Sequence, residues 1–210
     1  ESQYAFAPVD EASQDSSFER FRARLIQAVE QKDTAYLLSV LHPEIKVGTG
    51  HLKGKDAFRH AMKLDAQPEK SPVWPLLAQT LAQGGQFFAQ SGDPQGADFF
   101  LAPYAVTALP PKNTAVRVTN ARLVGVVTAI EVNLRSEPSL DAPVIASLTH
   151  DWVKTDPAKN TTPGWTYVQT LDGALSGYMA SQFVHINGNR MAFTKNKAGQ
   201  WQIRSFIGGF

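Results

Sequence analysis

"VNLRSEPSLDAPVIASL", residues 132–148, is the stretch whose reading decides the fold. Val132-Asn133-Leu134-Arg135 alternates apolar with polar, the period of a half-buried strand. Ser136-Glu137-Pro138-Ser139 interrupts it, because Pro138 presets φ and has no N–H to give to a ladder. A second alternating run, Val144 to Leu148, follows. Period two turns Leu134, Val144 and Leu148 inward. Asn133 and Arg135 take the opposite face, where polar side chains can tether the loop between the strands.

The neighbourhood of this stretch has the same texture. Leu123–Val127, Trp165–Thr170 and Ser176–Ala180 read as strands, and so does Thr114–Thr119. Asp172-Gly173 marks a turn, since glycine takes positive φ without strain. At the end of the chain, Met191, Phe193, Trp201 and Ile203 alternate with polar residues around Asn196-Lys197-Ala198-Gly199. Arg190–Phe206 is therefore predicted to be a hairpin.

Residues 15–83 read differently. Ser16-Ser17-Phe18-Glu19 forms a capping box, with the Ser16 hydroxyl accepting a backbone N–H. Phe18, Phe21, Leu25, Ile26 and Val29 then recur at helical spacing. Asp33 caps a second helix, which His42-Pro43 stops. Ile45–Val47 is a short strand, and Asp56–Leu64 a third helix. Ser71-Pro72 opens a fourth, carrying Trp74, Leu77 and Leu81 and ended by Gly84-Gly85.

The chain of 210 residues, 43% hydrophobic and 19% charged, is long enough for one large domain or two small ones. A net charge of +1 with no basic run gives no electrostatic reason to expect nucleic acid or an anionic membrane. The absence of cysteine excludes disulfides, thiolate metal sites and cysteine nucleophiles. No apolar stretch approaches the roughly 20 residues that a membrane-spanning helix needs, so no membrane insertion is expected.

Five signals in the β-rich half occur in a fixed order: Asn133-Leu134-Arg135 with Pro138-Ser139, then Val144 to Leu148, then Gly164-Trp165-Thr166-Tyr167-Val168, then Asp172-Gly173, then Gly177-Tyr178-Met179-Ala180-Ser181-Gln182-Phe183-Val184. Together they resemble a bacterial SH3 (SH3b) domain. His150-Asp151, and the long Lys154–Pro163 connection, depart from that pattern. The flanks resemble exported bacterial proteins that carry such a domain: Trp74, Leu77 to Gly85, Phe100-Leu101-Ala102-Pro103-Tyr104 and Gly199-Gln200-Trp201.

The resemblance implies an α+β protein. A disordered or extended tail (1–14) leads to an N-terminal helical domain (15–103). An SH3b-like small β-barrel (104–189) follows, and a C-terminal hairpin (190–210) packs on the helical domain. Trp74 and Trp201 are expected where the helices and hairpin meet the barrel. The implied location is periplasmic or secreted, with a signal peptide removed. The oligomeric state has no signature in the sequence.

Other candidate chemistry reads as structural. His42, His51 and His60 lie nine residues apart, not at the i, i+4 spacing that puts two ligands on one helix face. Gly48 to Asp56 imitates a phosphate loop but has the wrong glycine spacing, and Asp56 stands where a hydroxyl should hold Mg²⁺. No Gly-x-Ser-x-Gly elbow occurs. Asp65 and Glu69 sit in a polar stretch and need no catalytic reading. No catalytic residue, metal or cofactor is therefore expected.

The remaining handle is aromatic. Trp152, Trp165, Tyr167 and Tyr178 combine apolar faces with a polar edge, as extended-peptide grooves require. With Asn133 and Arg135 they form the expected ligand-binding set. The expected function is non-enzymatic binding in the bacterial envelope, to a peptidoglycan peptide or a protein tail. A structural or regulatory protein docking on another envelope protein is the alternative. A hydrolase with a site between helices and barrel is a minor one.

Overall fold

A computed structural model of the chain describes residues 4–49, 51–89, 98–107, 123–186 and 188–208. The expected strand Thr114–Thr119 lies outside the described residues. In chain order the elements are α1 (Ser16–Glu30), α2 (Thr34–Ser39), β1 (Leu41–Gly48), β2 (Leu52–Lys53), α3 (Lys55–Ala61), α4 (Val73–Leu81), β3 (Gln86–Ala89) and β4 (Asp98–Ala102). There follow β5 (Val124–Val127), β6 (Val132–Arg135), β7 (Val144–Leu148), β8 (Trp152–Thr155), β9 (Trp165–Thr170), β10 (Ser176–Ala180), β11 (Val184–Ile186), β12 (Arg190–Lys195) and β13 (Trp201–Ile207). The protein is α+β and divides into two compact units: Glu1–Pro8 with Ala108–Gly188, and Val9–Thr107 with Asn189–Phe210.

The helix-bearing unit is built on a six-stranded sheet in the order β2-β1-β13-β12-β4-β3. Its β1–β13 pair is parallel. Residues 15–103, expected to be helical, thus also contain four strands. α2 ends at Ser39, ahead of His42-Pro43, which does not stop it but lies inside β1, where the residue before proline is pushed into the β region. Pro43 falls where the β1–β13 register shifts, between Leu41 and Lys46, so its missing N–H breaks no ladder. The β12–β13 hairpin lies between β1 and β4 in this sheet.

The α1 cap is Asp15 rather than Ser16. Its Oδ1 accepts from the backbone N–H groups of Ser17 (2.8 Å) and Phe18 (3.1 Å), and its other oxygen accepts from Lys195 Nζ at 2.9 Å. A carboxylate there satisfies orphan N–H groups and meets the positive helix end. From this cap α1 delivers Phe18 into the core, fully buried. The Phe18 ring lies 4.2 Å from that of Phe100, 4.8 Å from that of Trp201 and 5.4 Å from that of Phe193. Trp74 and Trp201, expected at a junction with the barrel, are both members of this unit's core. Their indole N–H groups are satisfied locally, by Pro68 O at 2.6 Å and Ser17 Oγ at 2.9 Å.

The other unit is a seven-stranded antiparallel sheet in the order β11-β5-β8-β9-β10-β6-β7. No hydrogen-bonded ladder joins its two end strands among the described residues. Val127, Val132, Leu134, Leu148, Val153, Val168, Met179 and Val184 form its core. The quoted stretch supplies β6 and β7, and Leu134 and Leu148 point inward. Val144 does not, being 49% exposed. The β6–β7 register shifts between Leu134 and Arg135, and the shift sets Val144 opposite outward-facing Arg135. One bulge reverses the parity that an unbroken alternation assigns.

The opening segment is more than a tail. Ala5 forms an antiparallel bridge with Asp151, flanked by backbone hydrogen bonds from Trp152 N to Tyr4 O and from Phe6 N to His150 O. Ala12–Gln14 forms a turn of 3-10 helix with Ala12 buried.

Candidate functional site

β9, β10 and β6 are adjacent, and their register decides which side chains meet. Val168, Met179 and Leu134 occupy the buried face. Alternation then sends Trp165 and Tyr167 of β9, Tyr178 of β10 and Asn133 and Arg135 of β6 to the other face. Tyr178 is the Cα partner of Tyr167 on one side and of Arg135 on the other. Trp165 pairs with Ala180, whose small side chain leaves space beside the indole. Five of the six residues expected to bind ligand therefore share one face of a three-strand platform.

Within it, Trp165, Asn133 and Arg135 line a hollow of about 220 Å³ together with Ala180, Phe183 and the loop residues Ile130 and Leu140. Ile130 is 67% exposed and Leu140 75% exposed. Ligand pockets for whole drug-sized molecules span roughly 300–1,000 Å³. This hollow is smaller, and matches one or two side chains of an extended chain. The polar residues on its wall are held in place. Arg135 Nη1 donates to Ala142 O at 2.7 Å, which ties down the 136–143 loop. Asn133 Oδ1 accepts from Ser147 Oγ at 3.2 Å.

Tyr167 and Tyr178 form the second part of the platform. Their rings meet edge to face, 5.5 Å between centroids. Lys159 Nζ stands 4.2 Å from the Tyr167 ring centroid, a cation–π geometry. The Tyr167 phenol is held below its ordinary pKa, first by its side-chain hydrogen bond with Ser176 and further by Lys159, while desolvation pulls the other way. Asn160 positions the strand here, its Oδ1 accepting from Tyr167 N at 2.7 Å. Lys159 and Asn160 belong to the long 154–163 connection, so that connection shapes the tyrosine end of the platform.

Trp152 is not on the platform. It is 6% exposed and stacks against Phe6, 5.7 Å between ring centroids and 4° from parallel. It contributes to a second hollow, of about 360 Å³, beside the opening segment. Sequence reasoning missed Ile130, Leu140 and Phe183 as site residues. A lone exposed aliphatic carries no pattern, although Ile130 and Leu140 both lie in loops, where apolar side chains have no local reason to be.

The histidines do not converge. His51 and His60 are exposed, and among the described residues no group of three or more His, Cys, Asp or Glu is placed to hold a metal ion. No helix among them is long and apolar enough to cross a membrane.

In comparisons with known proteins, no family model matches the chain and no curated protein matches it in sequence.

Proposed function

We propose that the chain is a non-enzymatic binding protein of the bacterial envelope, whose SH3b-like portion reads an extended peptide, either a peptidoglycan stem peptide or a protein tail. The observation that carries this reading is the hollow at Trp165. It joins an indole face, a fixed guanidinium and a fixed amide on one rigid sheet, with exposed Ile130 and Leu140 at its rim. Aromatic and aliphatic surface supplies affinity for a side chain, while polar groups set the register of the chain that carries it. The SH3b resemblance and the periplasmic or secreted location belong to the same proposal.

Pulldown with purified peptidoglycan tests it. The wild-type chain is expected to be retained, and the Trp165→Ala, Tyr178→Ala double variant to be washed out. A wild-type chain that passes through unretained sinks the cell-wall version.

The second reading, docking on another envelope protein, draws on one specific observation. Ile130, Leu140, Val144 and Ile145 are all large, apolar and exposed, and all belong to the β6–β7 region or the loop before it. Such groupings mark protein contacts. Capture from envelope extract, lost on Leu140→Asp and kept on Trp165→Ala, separates this reading from the first.

A further inference from the structure

β8 begins at Trp152, but its pairing with β9 begins one residue later, at Val153 opposite Thr170. Beyond Thr170 the chain turns away through Asp172-Gly173, fixed by Thr170 Oγ1 donating to Asp172 Oδ1 at 2.6 Å and by Gly173 at φ +73°. Residues 150–152 thus extend past the end of β9. Asp151 O is used on the β5 side, where it accepts from Val127 N at 2.9 Å. Alternation from Asp151 turns Trp152 N to the side that β9 has vacated. His150, at φ +54°, donates its N–H to Ala129 O at 3.2 Å and turns its carbonyl to the same vacated side. A bare edge of this kind is a template for another strand.

The chain's own Tyr4-Ala5-Phe6-Ala7 occupies that template. Trp152 N donates to Tyr4 O at 2.9 Å, and Phe6 N donates to His150 O at 2.7 Å. Ala5 and Asp151 are the antiparallel bridge between them. Period two puts the Phe6 side chain over Trp152, ring on ring. Pro8, which has no N–H, follows the paired run. Beside this added strand lies the 360 Å³ hollow, walled by Ser147–Trp152 and by the Thr170–Leu175 turn. Main-chain hydrogen bonds with one aromatic anchor are the parts of strand-addition recognition.

We infer that the His150–Trp152 edge is a peptide-binding seat, held in cis by Tyr4–Ala7, that accepts from a partner chain an extended segment with an aromatic residue in the place of Phe6. The seated segment defines what the partner must offer: a free backbone N–H at the aromatic position, a free carbonyl two residues earlier, and a flat ring to cover Trp152. The cis segment makes the seat conditional. A tethered ligand competes at an effective concentration of order millimolar, so a free peptide that binds at about 100 µM is handicapped roughly tenfold. The seat is distinct from the hollow at Trp165 and does not depend on the function proposed for it.

The test uses the full chain. A fluorescently labelled peptide of residues 2–8, Ser-Gln-Tyr-Ala-Phe-Ala-Pro, is titrated into wild type and into Phe6→Ala, with anisotropy as readout and amide shifts of residues 147–152 and 170–175 as locator. Phe6→Ala is expected to bind the peptide about tenfold more tightly than wild type. The peptide with alanine in place of phenylalanine is expected to bind neither. If circular dichroism shows Phe6→Ala unfolded, Phe6→Leu replaces it. Equal affinity of wild type and variant, no binding by the variant, or an alanine peptide that binds as well as the original each overturns the inference. So does concentration-dependent dimerisation of wild type that Phe6→Ala abolishes, since that assigns the seat to a second copy of this chain.

Discussion

His185 offers a stability prediction that is specific to one atom. It sits in β11, 9% exposed, opposite Val126 of β5, and its Nε2 has no hydrogen-bond partner among the described residues. Desolvation by burial brings its pKa down from 6.5 to about 4. The lowered value fixes the sign. Between pH 6.5 and 4 the unfolded chain takes up a proton that the folded chain refuses, so stability falls as pH falls through that window. With about 1.4 kcal/mol per pH unit, a gap from 6.5 to about 4 corresponds to a loss on the order of 3 kcal/mol, complete below pH 4. His185→Leu keeps an apolar group of similar bulk and removes the titration. The two proteins should be of similar stability at pH 7.5, because the variant also loses an unpaired buried nitrogen. At pH 4.5 the variant should be ahead by about 2 kcal/mol or more. Urea denaturation at half-unit steps from pH 7.5 to 4.5, followed by fluorescence and circular dichroism, measures the difference. His42, whose pKa is also lowered, chiefly by desolvation, is common to both proteins and cancels. Parallel stability curves across the whole range would refute the reasoning, because they would show that His185 charges as easily in the folded chain as in the unfolded one.

Two further outcomes follow from the helix-bearing unit. Phe18→Ala opens a cavity among Phe100, Phe193 and Trp201, and should cost about 3–5 kcal/mol in urea denaturation. Asp15→Ala removes the α1 cap and the Lys195 partner, and should cost about 1–2 kcal/mol at pH 7. The Asp15 carboxyl is held well below its ordinary pKa, first by the Ser17 hydroxyl. Its contribution is therefore present above about pH 4 and lost as pH falls further, so wild type and variant should converge in acid.

Five strands of the seven-stranded sheet, β5, β6, β7, β9 and β10, were legible in local pattern, with Asp172-Gly173 announcing the turn between the last two, whereas β8 and β11 were not singled out; in the other sheet Asn196–Gly199 announced the β12–β13 turn. The α1 stripe was legible for the same reason, although the cap lay one residue earlier, at Asp15. What escaped was what depends on distant partners. β1 is a strand through Leu41–Gly48 because β13 lies parallel beside it. β4 is a strand because β12, which follows it only after the whole inserted sheet, takes its hydrogen bonds. Val144 is exposed because of a bulge in β7, where Ile145 is an extra residue between Ala146 and Val144. No window of neighbouring residues contains these causes.

The candidate site divides in the same way. Asn133, Arg135, Trp165, Tyr167 and Tyr178 could be singled out by residue type, and strand alternation puts all five on one face once β6, β9 and β10 are known to be adjacent. That adjacency, the hollow it opens beside Ala180 and the concealment of Trp152 under Phe6 are tertiary facts.

By itself, then, the sequence determined local periodicity: which residues alternate, where helices start, where turns fall and which side chains have chemistry to offer. The tertiary structure decided pairing: which strands become neighbours, which aromatic is covered and which stays open, and that the opening segment bridges to Asp151. The physical reason is range. Backbone propensity and side-chain alternation act within a few residues, whereas a ladder or a buried ring needs a partner that chain connectivity places anywhere along the 210 residues.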